Sequence, residues 1–173
     1  MRSNALRSAW LGTIAAGLLV LVLPQARAAE ADEAALAAAL KNVPTTLEQG
    51  LKASEKTGKP ISAKFEIDEG KLQLSIYTIT GDGFTEVVVA PDSGSVMKSE
   101  KITDSDDLKA AASQKAAMEK AKIPLTAATE KAVSANPGAR TVSIYPELKE
   151  GQPVAAITLL HYGKFTTASE KLN

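Results

Sequence analysis

An internal repeat constrains the fold of this 173-residue chain more than any other feature of its sequence. When the part after residue 28 is aligned with itself, it matches at an offset of 80 residues, which becomes 81 after one inserted residue. The matches keep their order along the chain, so we predict two copies of one supersecondary unit. The ten identical positions in the first copy are Pro44, Thr46, Ser54, Gly58, Ser62, Glu66, Gly70, Ile76, Phe84 and Thr85.

Each copy is predicted to contain a helix, a proline break, a second helix and three strands. Stretches rich in Ala and Leu on either side of Pro44 and Pro124 predict the helices. Alternating apolar and polar residues predict the strands. The fold class is therefore α+β, with the helices packed on an antiparallel sheet. The predicted helices are Glu30–Asn42, Leu47–Lys56, Leu108–Lys122 and Thr126–Ala135, and the predicted strands are Ile61–Ile67, Lys71–Ile79, Phe84–Val89, Thr141–Leu148, Pro153–His161 and Phe165–Ser169.

Two prolines bear on the order of the strands. Pro146 and Pro153 each remove a backbone donor from the ladder, and proline in a sheet is found mainly on edge strands or at strand ends. We therefore expect the first strand of the second copy to be an edge strand.

The N-terminus has the pattern of a secretory signal peptide. Arg2 and Arg7 precede an apolar run over residues 9–23, Pro24 interrupts it, and Ala26-Arg27-Ala28 supplies small residues at a cleavage site. The run is shorter than the roughly 20 apolar residues that a membrane-spanning helix needs. We predict cleavage after Ala28 and an exported, soluble protein in the periplasm or outside a bacterial cell.

Composition excludes several kinds of site and partner. The chain has no cysteine and one histidine, which removes disulfides, thiolate metal sites, thiol nucleophiles and multi-histidine metal sites. Cleavage would remove three of the 20 basic residues and none of the 20 acidic ones, leaving a mildly acidic protein. Nucleic acid is therefore not expected as a partner, because binding it requires clustered Lys and Arg, and membrane binding is not expected after cleavage.

The first copy resembles the PepSY domain. The resemblance covers Val43–Val96 and rests on the helix Leu47–Lys56, the hairpin Lys71–Ala90 and the closing turn with Asp92 and Gly94. The second copy resembles the same domain over Ile123–Asn173 but lacks the closing turn. The expected organisation is a signal peptide at 1–28 and PepSY-like repeats at 29–102 and 103–173.

The resemblance implies a helix-on-sheet architecture, which is also cystatin-like, and a function in restraining or modulating peptidases. PepSY domains have no established catalytic residues, so the resemblance carries over only the structural turn at Asp92 and Gly94. It implies no cofactor.

The candidate binding residues are aromatic or titratable side chains on the predicted sheet. Tyr77, Tyr145, Tyr162 and His161 form a candidate protein-binding face, because aromatic residues dominate interface energetics. As a catalytic base His161 would need a nucleophile and an orienting acid, and no sequence pattern supplies them. The acidic run at residues 104–107 lacks the glycine and closing Glu of a calcium loop, so we assign it to helix capping.

These observations favour a non-catalytic exported protein that binds another protein, such as an envelope or secreted peptidase, through a sheet edge or an exposed sheet face. The alternative is a periplasmic small-ligand or metal-ion binding protein that uses the cleft between the repeats. No catalytic or metal-binding residue is assigned, and the oligomeric state stays open because edge strands can pair between chains.

Overall fold

A computed structural model describes residues 23–81 and 83–173 of the chain. The described residues form an α+β fold with four helices and one seven-stranded antiparallel sheet, which confirms the predicted fold class. The helices are α1 (Leu23–Leu40), α2 (Leu47–Ser54), α3 (Ser105–Lys120) and α4 (Leu125–Ala135). The strands are β1 (Lys59–Asp68), β2 (Lys71–Thr80), β3 (Gly83–Val89), β4 (Val96–Lys101), β5 (Arg140–Lys149), β6 (Gln152–His161) and β7 (Lys164–Lys171).

The two halves of the chain contribute to one continuous sheet, whose strand order is β4-β3-β2-β1-β5-β6-β7. The central contact joins β1 to β5 through the pairs Ala63–Ile144 and Lys64–Ser143. All four predicted helices and the six predicted strands overlap elements of the structure, whereas β4 was not predicted from the sequence.

The expectation that β5 is an edge strand is wrong. β5 pairs with β1 on one side and with β6 on the other. Pro146 fits this central position because the β1–β5 pairing covers only two residue pairs and ends before it. Alternation of ladder bonds directs the backbone nitrogen of Pro146 away from β6, so the missing donor faces a stretch where no ladder is formed.

Local sequence signals explain the helix starts. Thr46 caps α2 with a capping box, in which its side chain accepts from the Gln49 N–H and the Gln49 side chain accepts from the Thr46 N–H. Asp104 caps α3 by accepting from the N–H groups of Asp106 and Asp107. The acidic run therefore caps a helix, as its pattern predicted.

Helices lie on both faces of the sheet. Gly50 of α2 packs directly against Leu74 and Ile76, and Lys131 of α4 forms an ion pair with Glu170 of β7. The register places these strand residues on one face.

The opposite face is covered by α3. Ser62 lies on that face by the same register and donates a hydrogen bond of 2.7 Å to the side-chain oxygen of Gln114. Buried apolar residues from both halves form one hydrophobic core.

The predicted signal peptide falls mostly on residues 1–22, which lie outside the described residues, and α1 runs through the predicted cleavage point. Within the described part of the chain, none of the helices has the length and apolarity required to span a membrane.

Candidate protein-binding surfaces

The structure divides the predicted binding face between two places. His161 ends β6 and Tyr162 begins the β6–β7 turn with a φ of 48°, and the centres of their rings are 4.2 Å apart. Tyr162 is 91% exposed. The His161 Nε2 atom is buried against Gly138 and has no hydrogen-bond partner among the described residues.

Tyr77 and Tyr145 lie elsewhere, on the sheet face that α3 covers. Tyr77 is half-buried, and its hydroxyl donates to Asp107 of α3; burial and then this hydrogen bond raise the pKa of Tyr77. Tyr145 lies on the same face and is 36% exposed, and desolvation raises its pKa. The hydrogen bond to Asp107 of α3 therefore accounts for the position of Tyr77, while Tyr145 is a partly exposed residue on the same face.

The predicted closing turn lies between β3 and β4. Gly94 has a φ of 69°, and its N–H donates to the Ala90 carbonyl over 2.8 Å. The Thr45 N–H donates to the Pro91 carbonyl, which joins the turn to the α1–α2 linker. Asp92 is exposed. The turn directs the chain from β3 into an additional strand, β4.

A network of polar side chains lies on β1 and β2, on the sheet face that α3 covers. The Glu66 carboxylate forms an ion pair with Lys64 and accepts hydrogen bonds from Ser75 and Gln73. Burial alone would raise the pKa of Glu66, but the Lys64 charge and the three hydrogen-bond donors outweigh it and lower the pKa. The network holds a charged acid in place on the sheet.

The β4 strand is an open edge. It pairs with β3 on one side, and it is the last strand in the sheet order. All six of its residues are exposed, including Val96 and Met97 at 42% and 59%. A single ion pair of 2.8 Å joins Lys98 to Glu100 along the strand.

The ladder shows which backbone groups of β4 point outward. The Ile102 N–H donates to the Phe84 carbonyl over 2.9 Å, so Phe84 bonds toward β4. Because ladder bonds alternate in antiparallel pairs, the residues opposite Glu86 and Val88, which are Glu100 and Lys98, also bond toward β3. The N–H and C=O groups of Ser99 and Lys101 therefore point away from the sheet.

The opposite edge, β7, is more covered. The Leu172 side chain that follows it is fully buried. The Leu172 N–H donates to the Pro153 carbonyl, and the Leu172 carbonyl accepts from the N–H groups of Lys122 and Ile123 in the α3–α4 linker. The Lys131–Glu170 ion pair joins the strand to α4. β7 is thus fixed on its inner side by a helix and a linker.

A second contrast concerns the starts of β5 and β1. The half-buried guanidinium of Arg140 lies over the Phe65 ring, 5.3 Å from its centre. It donates to the carbonyls of Leu40, Val43 and Thr45 over 2.8, 3.1 and 2.8 Å. Burial lowers the pKa of Arg140, while the Glu48 charge opposes that shift. This side chain ties β5 to the α1–α2 linker.

The corresponding residue of β1 is Lys59, since Lys59 pairs with Ile79 as Arg140 pairs with Leu160. Lys59 is exposed and lines a cleft of about 560 Å³ between the end of α2 and the α3–α4 linker. Its walls are mainly apolar, and its charged lining residues are Glu55, Lys59 and Lys122. No group of three or more acidic or histidine side chains suited to a metal ion occurs within the described residues.

Sequence reasoning missed β4 because residues 96–101 read Val-Met-Lys-Ser-Glu-Lys, with no apolar alternation. The available signal was the turn at Asp92 and Gly94, which has to be followed by a new element. The cleft beside Lys59 had no sequence signal, since it depends on the packing of the α3–α4 linker against β1.

Comparisons with known proteins add little. No protein-family model matches the chain, and no curated protein matches it either. Among solved structures, the chain is similar to a "putative lipoprotein" from Clostridium difficile 630, with 16% sequence identity and a TM-score of 0.32. That match covers 69% of this chain and 88% of the other. At this TM-score the likeness supports no argument about function.

Proposed function

We propose that this chain is an exported, non-catalytic protein of tandem PepSY-like repeats that binds an extended segment of an envelope or secreted peptidase and thereby modulates its activity. The segment adds to the sheet as a further strand beside β4. The observation that carries the proposal is the exposed β4 edge, on which Ser99 and Lys101 direct their N–H and C=O groups outward. Strand addition to such an edge is a recurring mode of peptide recognition.

Two equivalent ladders support the proposal of tandem repeats. The β1–β2 pairs and the β5–β6 pairs correspond at an offset of 81 residues, from Lys59–Ile79 and Arg140–Leu160 onward. Both ladders contain an irregularity at the same place, between Pro60 and Ser62 and between Thr141 and Ser143. An identical offset in strand pairing is what duplication of one unit produces.

The surroundings of His161 and Glu66 support the non-catalytic part of the proposal. The buried Nε2 atom of the single histidine has no hydrogen-bond partner among the described residues, and the Glu66 carboxylate is held in its charged form by neighbouring donors. Export is supported by the signal-peptide pattern of residues 1–28.

Capture of peptidases from an envelope extract tests the proposal when it is combined with one substitution on each sheet edge. Ser99→Pro removes an outward N–H from β4 without removing a bond to β3. Thr167→Pro is the matched control, because the Leu172 N–H bond to Pro153 shows by alternation that Thr167 faces outward on β7.

We expect the unmodified protein and Thr167→Pro to retain a peptidase and slow its hydrolysis of substrate, and Ser99→Pro to lose both effects. Equal retention by all three proteins would overturn binding at β4, and retention without any change in hydrolysis would overturn modulation.

A second candidate function is the binding of a small ligand in the cleft beside Lys59. The volume of about 560 Å³ favours it, because it falls within the usual range for ligand sites. Titration of the protein with a library of envelope metabolites, observed through the methyl signals of Leu51 and Met118, tests this function. Specific shifts that disappear in Met118→Trp would support it, and the absence of shifts would exclude it.

A further inference from the structure

We propose that β4 also pairs with β4 of a second copy of this chain, forming a two-fold antiparallel dimer that occupies the binding edge. This inference rests on the role of β4 as an open edge in the proposed function. Its own evidence is the order of charges along the strand, Lys98-Ser99-Glu100, together with the outward direction of the Ser99 backbone groups.

The ladder limits the ways in which two β4 strands can pair. Only outward-facing residues can exchange hydrogen bonds between the copies, so Ser99 and Lys101 take part and Lys98 and Glu100 do not. Successive two-fold registers are centred on Lys98, Ser99 or Glu100. A centre on Lys98 or Glu100 places two like charges directly opposite each other, which is unfavourable.

The register centred on Ser99 has complementary charges. Ser99 of each copy then donates its N–H to the Ser99 carbonyl of the other copy. Lys98 of each copy lies opposite Glu100 of the other, so the pairing forms two cross-strand ion pairs. In a single chain Lys98 already forms an ion pair with Glu100. The hydrogen bond to Glu100, together with the negative charges of Glu100 and Glu86, raises the pKa of Lys98. A second copy places another lysine opposite Glu100.

The other edge is less suited to this pairing. Glu170 of β7 is engaged by Lys131 of α4, and its side chain is only 15% exposed. The residue after β7, Leu172, is buried and bonded into the α3–α4 linker. Self-pairing is therefore assigned to β4, and it competes with a bound peptide segment for the same backbone groups.

Charge-swap variants test the inference on the purified protein without any other partner. Lys98→Glu makes residues 98 and 100 both acidic, and Glu100→Lys makes both basic. Each variant alone places like charges opposite each other across the two-fold axis, whereas a mixture of the two restores both ion pairs. The double variant K98E/E100K also keeps opposite charges opposed and serves as the control for substitution as such.

The measurement is sedimentation equilibrium at low ionic strength, from micromolar to millimolar protein, because the contact is small and the charges are exposed. We expect the unmodified protein, the double variant and the mixture to dimerise within about threefold of one another, and each single variant to dimerise at least about tenfold more weakly. Ser99→Pro should be monomeric.

An unmodified protein that stays monomeric throughout would overturn the inference, as would single variants that dimerise as well as the unmodified protein. Failure of the proposed function is a separate result, because peptidase capture is measured on another sample. If the protein dimerises through β4 but captures no peptidase, the inference of self-pairing stands and the proposed binding of a peptidase is overturned.

Discussion

The two outer ends of the sheet differ although the strands leading to them follow the same plan. On the second half, β7 is fixed by the buried Leu172, by hydrogen bonds to the α3–α4 linker and by an ion pair to α4. On the first half, the turn at Gly94 adds β4, whose six residues are all exposed. The comparison indicates that contacts with a helix and a linker hold β7 in place, whereas all six residues of β4 are open to solvent.

The largest expected effect is at the fixed edge. Leu172→Ala removes a fully buried side chain and should lower the free energy of unfolding by about 2–5 kcal/mol. The matched change at the open edge, Met97→Ala, affects a side chain that is 59% exposed and should alter stability by less than about 0.5 kcal/mol. Urea denaturation of both variants measures the difference. Equal losses would contradict the distinction between the edges.

The next effect concerns the starts of β5 and β1. Arg140→Met leaves the carbonyls of Leu40, Val43 and Thr45 without their charged donor and should cost about 2–3 kcal/mol. Lys59→Met, at the corresponding place beside the cleft, should change stability by less than about 0.5 kcal/mol because Lys59 is exposed. Thermal unfolding of both variants measures the difference. A loss of stability in Lys59→Met as large as that in Arg140→Met would contradict the distinction between the starts of the two strands.

A smaller effect is expected at the turn before β4. Gly94 has a φ of 69°, and an alanine there costs about 1–2 kcal/mol in backbone strain. We expect Gly94→Ala to accelerate hydrogen exchange in β4 while exchange in β7 stays unchanged. Gly163→Ala, at a φ of 76° in the β6–β7 turn, is the control and should leave exchange in β4 unaltered. Faster exchange across the whole sheet in Gly94→Ala would mean that β4 is not a separable edge.

The smallest effect distinguishes Glu66 from its repeat counterpart Glu147. The pKa of Glu66 is lowered in the folded protein, so its charged form stabilises the fold above the unfolded value near 4.5. This contribution disappears as the pH falls through the lower folded value. Glu66→Gln should therefore reduce the loss of stability in acid, by less than about 1 kcal/mol.

Glu147→Gln is the matched control, measured by denaturant unfolding as the pH is lowered from 7. Glu147 forms an ion pair of 3.0 Å with Lys149, and the Glu147 side chain is 44% exposed. If the free energy of unfolding of Glu66→Gln depends on pH in the same way as that of the unmodified protein, the hydrogen bonds and the Lys64 charge do not favour the charged form of Glu66.

Local signals in the sequence were sufficient for most of the elements. The capping run at residues 104–107, the period-2 alternation over residues 61–67 and the proline before α4 act on neighbouring residues, and the structure places helices and strands there. The position of β5 was predicted wrongly because Pro146 was judged as though every ladder bond of a central strand had to form. The short β1–β5 pairing, which depends on tertiary packing, removes that requirement.

The binding surfaces were less accessible to sequence reasoning than the elements. The four predicted binding residues separate because Tyr77 and Tyr145 lie by register on the face that α3 crosses, while His161 and Tyr162 lie at a hairpin turn. Nothing in the one-dimensional pattern says that α3 covers the face opposite α2 and α4. The open edge at β4 likewise follows only from the order of strands in the sheet.

Residue-resolved amide hydrogen exchange of the purified protein, measured at low and at high concentration, tests the central claim most directly. At low concentration, Lys98 and Glu100, whose amides bond to β3, should be protected, and Ser99 and Lys101 should exchange freely. Raising the concentration should protect Ser99 as the edges pair. Protection of Ser99 and Lys101 at the lowest concentration, or free exchange of all four amides, would contradict the account of β4 as an open binding edge.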